Sequence, residues 1–278
     1  MSDTYDNIRW ELDALKTEYT QHWSHFRHAI DKSYQAFNIH MVMMALLFSA
    51  ISLANDQDSS SIALPLFMVI GVVAFASSIG TISTLVTQRT GYVWHQKVID
   101  VLRERLSKKT SDILQPEVDL FYDRKIFSPG TAWFGRVNFV VLTGSSVVVL
   151  CAYLIFSGLS STGIGIALDS YTSLFLSLYI FALSLQLMYH SVISQSQSRA
   201  RELYCQMRKY EHPPTESRDI KYIRLYSKYL LAFEGITIIC AIPLLFMSSL
   251  TLILLSVNIF VLLITILCLL KTGKEIVC

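Results

Sequence analysis

Long apolar stretches separated by charged segments run through most of the chain. The clearest is Ile62–Val86, a stretch of 25 residues without a charged side chain. A helix of this length spans about 37 Å, whereas the hydrocarbon core of a bilayer is about 30 Å thick. The pattern therefore predicts a membrane-spanning helix with some tilt.

Further apolar stretches predict additional crossings, at Ala36–Leu53, Asn138–Gly158, Tyr171–Ile193, Tyr229–Met247 and Leu250–Leu270. Hydrophobic residues make up 53% of the chain and charged residues only 16%. A soluble domain of this size would need more charge to cover its surface. We therefore expect an all-α polytopic membrane protein with six transmembrane helices, in three hairpins, with cytoplasmic helical extensions.

The 23 Lys and Arg residues are distributed unevenly along the chain. None falls in the predicted hairpin loops 55–61, 159–170 and 248–249. With six crossings every basic residue lies on one side of the membrane, and removing a crossing would break this pattern. Because loops rich in Lys and Arg stay in the cytoplasm, we expect both termini and both long loops there.

The segments outside the membrane carry helical patterns of their own. Large apolar residues recur every three or four positions before the first crossing, at Tyr19, Trp23, Phe26, Ile30, Tyr34 and Phe37. This amphipathic face could lie on the membrane, self-associate or pack on the protein's own helices, and we favour packing. The predicted organisation is a cytoplasmic helix (1–35), transmembrane hairpins (36–86, 138–193 and 229–270), cytoplasmic helical elbows (87–137 and 194–228) and a cytoplasmic tail (271–278).

Glu234 is the one Asp, Glu, Lys or Arg well inside a predicted crossing, about five residues or roughly 8 Å from its start. A carboxylate at this depth is costly unless it is paired, protonated or in contact with water. It therefore indicates an ion pathway or a proton-sensitive gate. The alternative is an interfacial residue that reaches Lys228 or water.

Other polar or small residues in the crossings complete the pore or gate candidates. Asn258 lies in the middle of the sixth predicted crossing, where an amide seeks a partner on a neighbouring helix. Ser77, Gly80 and Thr84 lie in the second, where small residues favour close helix packing or line a narrow polar pore.

Metal and enzyme signatures are weak or missing. His22, His25 and His28 recur at steps of three, but only neighbouring pairs share a helix face, and no carboxylate or Cys completes a ligand set. The chain has no H-E-x-x-H, G-x-S-x-G or P-loop motif. We therefore expect no metal, no cofactor and no enzymatic activity.

Two stretches, His22–Asn38 and Ser198–Tyr204, carry a resemblance together with the outline of amphipathic helix, membrane hairpin and charged helical extension. The chain resembles small multi-pass membrane effectors of bacterial antiphage and nucleotide-signalling systems, namely SLATT-like two-helix effectors and their four-helix relatives. The resemblance covers about half of the chain, and six crossings depart from the two or four of those families. It implies a membrane-disrupting or pore-forming role that stops infection by killing the cell.

The leading hypothesis is a bacterial inner-membrane effector that oligomerises and permeabilises or depolarises the membrane on a cytoplasmic signal, in antiphage defence by abortive infection. Its expected partners are membrane lipid, further copies of the chain, and a nucleotide second messenger or partner protein, with no nucleic acid. The basic candidates for binding the signal are Arg103, Arg105, Arg199, Arg201, Arg208 and Lys209. A transporter or channel for ions or small solutes, and a membrane scaffold that recruits partners through its cytoplasmic helices, are the alternatives.

Overall fold

The computed structural model is helical throughout the residues it describes, which are 2–55, 60–111, 130–161, 170–208, 218–245 and the single positions 263 and 266. The helices are α1 (Ser2–Asn55), α2 (Ser60–Ser111), α3 (Gly130–Ser161), α4 (Ser170–Arg208) and α5 (Arg218–Leu245). The expected all-α class is therefore confirmed for this part of the chain.

Within the described residues, 4 helices, α1 to α4, are long and apolar enough to cross a membrane. The fifth predicted crossing begins in α5. The sixth, with Asn258, lies outside the described residues except for Leu263 and Ile266. The structure thus confirms several helices that are long and apolar enough to span a membrane, while six crossings and their orientation stay predictions.

Three helices continue without interruption from the membrane into the charged segments. At 54 and 52 residues, α1 and α2 are each about 80 Å long, more than twice the thickness of the hydrocarbon core. The helical segment expected after the second crossing continues α2 directly, as far as Ser111. Likewise α4 runs from its apolar part to Arg208.

Consecutive helices pack antiparallel, which brings their charged ends together. Ile51 and Ala54 of α1 cluster with Phe67 and Ile70 near the start of α2. At the other end of the bundle, Trp133 of α3 donates a hydrogen bond of 3.1 Å from Nε1 to the carbonyl of Leu85 in α2. The end that carries Lys32, Arg89, Arg136 and Arg199 is called the basic end below.

Burial places α4 at the centre of the bundle and α1 at its edge. In the most apolar window of α4, 61% of the residues are buried, compared with 17% in that of α1. Large apolar side chains on the outside include Val42 and Leu46 of α1 and Val72 of α2. Such a surface suits lipid, because the acyl chains of a bilayer are as apolar as these side chains.

Helices α2 and α3 approach closely at Ser78 and Gly144. A Cβ atom added to Gly144 would lie 2.8 Å from the Cβ of Ser78 and 3.1 Å from the Met188 methyl group. Ser78 is fully buried, and its hydroxyl donates to the Ala74 carbonyl at 2.7 Å. Glycine therefore allows three helices to meet closely at this point.

Gly144→Ala is expected to lower the free energy of unfolding by about 1–3 kcal/mol, because the added methyl group overpacks the α2–α3 contact. Gly91→Ala on α2 is the matched control. No described atom lies within 4 Å of that added Cβ, and alanine favours a helix over glycine. Thermal unfolding in detergent micelles measures both variants. Equal stability of the two would contradict the close contact.

Candidate functional site

A polar pair joins α4 and α5 in the apolar part of the bundle. The Gln186 side-chain amide donates a hydrogen bond from Nε2 to Oε2 of Glu234. Both side chains are buried, with 1% of Gln186 and 5% of Glu234 exposed. The predicted gate residue is therefore held by a neighbouring helix, in contrast to the alternative in which it reaches water.

The position of Gln186 puts this pair near the middle of the α4 span. The apolar part of α4 covers Ser173–Ser196. At the rise of an α-helix, Gln186 is about 20 Å from the first of these residues and about 15 Å from the last. Since Glu234 contacts Gln186, it lies deeper in the bundle than its distance from the start of the fifth predicted crossing suggested.

A layer of aromatic rings separates the pair from the basic end. Tyr189 stacks on Phe233 with ring centroids 5.4 Å apart, and it also contacts Tyr226 and Tyr229. The Tyr189 hydroxyl donates to Oδ1 of Asn138 at 3.0 Å. These residues, called the aromatic layer below, close the space between α3, α4 and α5 on that side of Glu234.

Tyr179 is the second polar group close to the carboxylate. It lies seven residues before Gln186, on the same face of α4, and within electrostatic range of Glu234. Its ring is buried, and its hydroxyl has no hydrogen-bond partner among the described residues. A buried hydroxyl without a partner is unusual and asks for an explanation.

Buried hydroxyls continue along α4 and α5 towards the end opposite the basic end. Thr237 donates to the Phe233 carbonyl at 2.7 Å, and Ser177 donates to the Ser173 carbonyl at the same distance. Ser184 donates to the Phe181 carbonyl at 2.8 Å. Each hydroxyl is satisfied by its own helix, which removes the cost of a buried donor in lipid.

The remaining pore candidates lie apart from this pair. Ser77 and Thr84 of α2 are half-buried, and Gly80 is exposed with no described atom within 4 Å of an added Cβ. The tight small-residue contact of α2 instead involves Ser78. Of the predicted candidates, the structure thus places only Glu234 at a buried polar contact between helices, and Asn258 lies outside the described residues.

A cluster of histidines joins α1 and α2 beyond the membrane part. His22 Nδ1 lies 2.9 Å from His95 Nδ1, and the His25 ring stacks on His95 with centroids 5.2 Å apart. The cluster sits beside a small apolar core in which Phe26 packs on Tyr92 at 4.5 Å. The aromatic face of α1 therefore packs largely on the protein's own α2.

Within the histidine cluster, His95 is biased towards its neutral form. Burial lowers the pKa of His95, and the neighbouring His22 and His25 lower it further because they add like charges. In the described part of the chain no group of three or more metal-ligating side chains is placed to hold a metal ion. The arrangement therefore suits a contact sensitive to protons better than a metal site.

The predicted signal-binding residues are spread along two helices. Arg105 and Arg199 are exposed and Arg103 is half-buried. Arg199 lies about 9 Å beyond the buried Ile193 of α4, whereas Arg103 lies about 25 Å beyond Val86 of α2. Arg201 and Arg208 belong to the end of α4, and Lys209 is outside the described residues.

Two residues at these sites were not among the sequence candidates. Gln186 was visible as an amide within an apolar stretch, and His95 as a histidine at a helical step from Tyr92 and Ile99. The sequence does not show which residue either side chain contacts. The contacts follow only from the packing of α4 on α5 and of α1 on α2.

Gln186→Met is expected to lower the free energy of unfolding by about 1–3 kcal/mol, because it leaves the buried carboxyl without its donor. The double variant Gln186→Met, Glu234→Met should recover part of this loss, since both polar groups are then absent. Titration with SDS in mixed micelles measures the free energy of unfolding of the unaltered chain, the two single variants and the double variant, which together form a double-mutant cycle.

Gln195→Met is the control on the same helix, where the amide bonds only Ser191, at 2.9 Å. We expect a small effect from it. Strictly additive losses for Gln186 and Glu234 would show that the pair contributes no coupling.

Acidification is expected to loosen the contact between α1 and α2. Because the pKa of His95 is lowered in the packed state, the separated helices bind more protons below about pH 6.5, so packing loses stability as the pH falls. Hydrogen–deuterium exchange, corrected for the intrinsic pH dependence, should rise around residues 22–30 and 92–99. His95→Gln should reduce the effect and exposed His28→Gln should keep it; an unchanged effect in His95→Gln would contradict this assignment.

Comparisons of the chain with protein-family models, with curated proteins and with solved structures find no match. The functional proposal therefore starts from the chain's own residues.

Proposed function

We propose that this protein is an inner-membrane effector that permeabilises or depolarises the membrane when its cytoplasmic helices receive a signal. The observation that carries the proposal is the carboxyl group of Glu234, buried between α4 and α5 and bonded to Gln186. Abortive infection in antiphage defence is the setting that the family resemblance implies.

The cost of this pair supports a functional role. An acidic residue in the middle of a membrane bundle is rare and marks ion or proton pathways. If the pair served packing alone, apolar side chains of similar volume would stabilise the bundle as well or better. The retained carboxyl is thus explained by charge or proton handling.

Tyr179 and the aromatic layer support a closed gate. The layer of Tyr189, Tyr226, Tyr229 and Phe233 lies between Glu234 and the basic end. The Tyr179 hydroxyl has no partner among the described residues in this arrangement of the helices. A second packing arrangement of these helices would therefore explain the orphaned hydroxyl.

Continuous helices provide the mechanical connection to the cytoplasm. α2 runs from its membrane part to the histidine cluster and to Arg103 and Arg105, and its Ile82 and Leu85 share a core with α4. A displacement of the α2 extension would therefore reach α4 within one packed unit. Packed interfaces of this kind switch between discrete arrangements and do not deform smoothly.

The exposed side of α2 supports association with further copies. Gly80 and the half-buried Thr84 lie four residues apart, a spacing that lets two helices approach closely. Thr84 donates to the Gly80 carbonyl at 3.0 Å, so its hydroxyl is already satisfied in lipid. A second copy could pack there without leaving a polar group unpaired.

The same carboxyl favours a constitutive channel or transporter as the second candidate. The effector and the channel differ in whether opening needs a signal. In the effector, the histidine cluster and the basic extensions would receive that signal. The scaffold receives less support, because the aromatic face of α1 on which a partner would dock is largely occupied by α2.

Controlled expression in bacteria is expected to depolarise the membrane, and Glu234→Gln should reduce the depolarisation severalfold because a neutral amide replaces the titratable group. A potential-sensitive dye measures both at matched protein levels. Glu18→Gln, the same change at an exposed site on α1, is the control and should behave as the unaltered chain.

Equal depolarisation by Glu234→Gln would remove this residue from the pathway. A constant leak of solute or protons that needs no signal would favour the channel or transporter. No depolarisation even at high expression would favour the scaffold.

A further inference from the structure

The α1–α3 surface carries an open groove at the basic end, unrelated to the buried pair. The groove has a volume of about 430 Å³. It is lined by Tyr34, Phe37 and Asn38 of α1 and by Gly135, Arg136 and Phe139 of α3. Its size is in the range of small-molecule sites.

The groove is polar at one end and apolar at the other. Arg136 lies at the polar end, towards the basic end, and Phe139 lies about one turn deeper on the same helix. Phe37 and Phe139 meet edge to face, with centroids 5.7 Å apart, on the side towards the membrane. Beyond them, exposed Val42 and Leu142 continue the apolar surface into the bilayer.

The Arg136 guanidinium is fixed in orientation. It lies over the Tyr34 ring at 4.1 Å from the centroid, and its Nη1 donates to the Ser33 hydroxyl at 2.9 Å. Stacking uses the face of a guanidinium, whereas hydrogen bonds are donated in its plane, so a stacked arginine still suits a phosphate. The pre-ordered side chain loses little further entropy when an anion binds.

We propose that this groove binds an anionic glycerophospholipid of the leaflet at the basic end. Arg136 meets the phosphate, the exposed amide of Asn38 lies one turn deeper at the level of the glycerol esters, and an acyl chain follows Phe37 and Phe139. The occupant is a lipid because the groove opens onto the lipid-facing surface and has the charge, interface and apolar regions of a phospholipid in the same order.

The surrounding charges favour an anionic headgroup over a zwitterionic one. Arg136 is the charged residue that lines the groove, and none of the other lining residues, Tyr34, Phe37, Asn38, Gly135 and Phe139, is acidic. Asp31 is exposed and lies one turn further from the membrane than Tyr34. An anionic headgroup would therefore complement the Arg136 guanidinium, whereas a zwitterionic headgroup would bring its own ammonium close to the same positive charge.

The test is native mass spectrometry of the full chain in detergent, titrated with phosphatidylglycerol or with phosphatidylethanolamine of the same acyl chains. We expect severalfold tighter binding of phosphatidylglycerol. Arg136→Gln should lose this preference, whereas Arg9→Gln, which removes the same charge from an exposed site on α1, should keep it. Equal losses in both variants would mean diffuse attraction to basic residues and would overturn the proposal.

A groove-filling variant tests the site without changing a charge. No described atom lies within 4 Å of a Cβ added to Gly135, so Gly135→Trp fills the groove and Gly135→Ala does not. The tryptophan variant should lose phosphatidylglycerol and the alanine variant should retain it. If Gly135→Trp disrupts a dimer and leaves lipid binding unchanged, a second copy of the chain occupies the groove and the proposal is overturned.

Discussion

Most buried polar groups in the membrane part of this bundle meet one constraint: without water nearby, they are satisfied by protein, and the Tyr179 hydroxyl is an exception. Most hydroxyls meet it locally, as Ser78 and Thr237 do with carbonyls of their own helices. His40 and Gln186 instead have partners on neighbouring helices. They are paired across helices, with Thr143 at 2.9 Å and with Glu234.

These two pairs give the bundle specific contacts that apolar packing alone would not provide. His40 and Thr143 join α1 to α3, and Gln186 and Glu234 join α4 to α5. Apolar side chains such as Ile82 and Val140 fill the space between them but tolerate sliding more readily. The polar pairs are thus the places where a change in helix arrangement would cost or release the most free energy.

The extensions outside the membrane follow different physics, because water competes there for every polar group. Lys108 and Glu104 form an exposed ion pair at 2.8 Å, of a kind that contributes little to stability. The histidine cluster is more consequential, since it lies beside the buried Tyr92 and Phe26 and histidine is the side chain whose ordinary pKa is nearest to physiological pH. The long helices therefore connect extensions that are in contact with water to a membrane part that is shielded from it.

Much of the fold was predictable because its determinants are local. Hydropathy identified the stretches that become α1 to α4, and the absence of a breaker after Gly91 indicated that α2 continues beyond the membrane. The spacing of aromatic residues before the first crossing indicated a packing face, and Trp23 and Phe26 lie on it. The depth of Glu234 was underestimated, because counting from the start of a crossing ignores how far the neighbouring helix is shifted.

The sequence by itself determined that this is a helical membrane protein and that its basic residues gather at one end, since charge, hydropathy and helical periodicity are properties of single segments. The sequence also indicated that placing the Glu234 carboxyl inside a membrane crossing costs free energy. Only the tertiary structure decided that Glu234 is bonded to Gln186, that His95 joins His22, and that Arg136 lies over Tyr34. These contacts depend on the rotation and register of packed helices, which arise from many weak contacts at once and leave no local pattern in the chain.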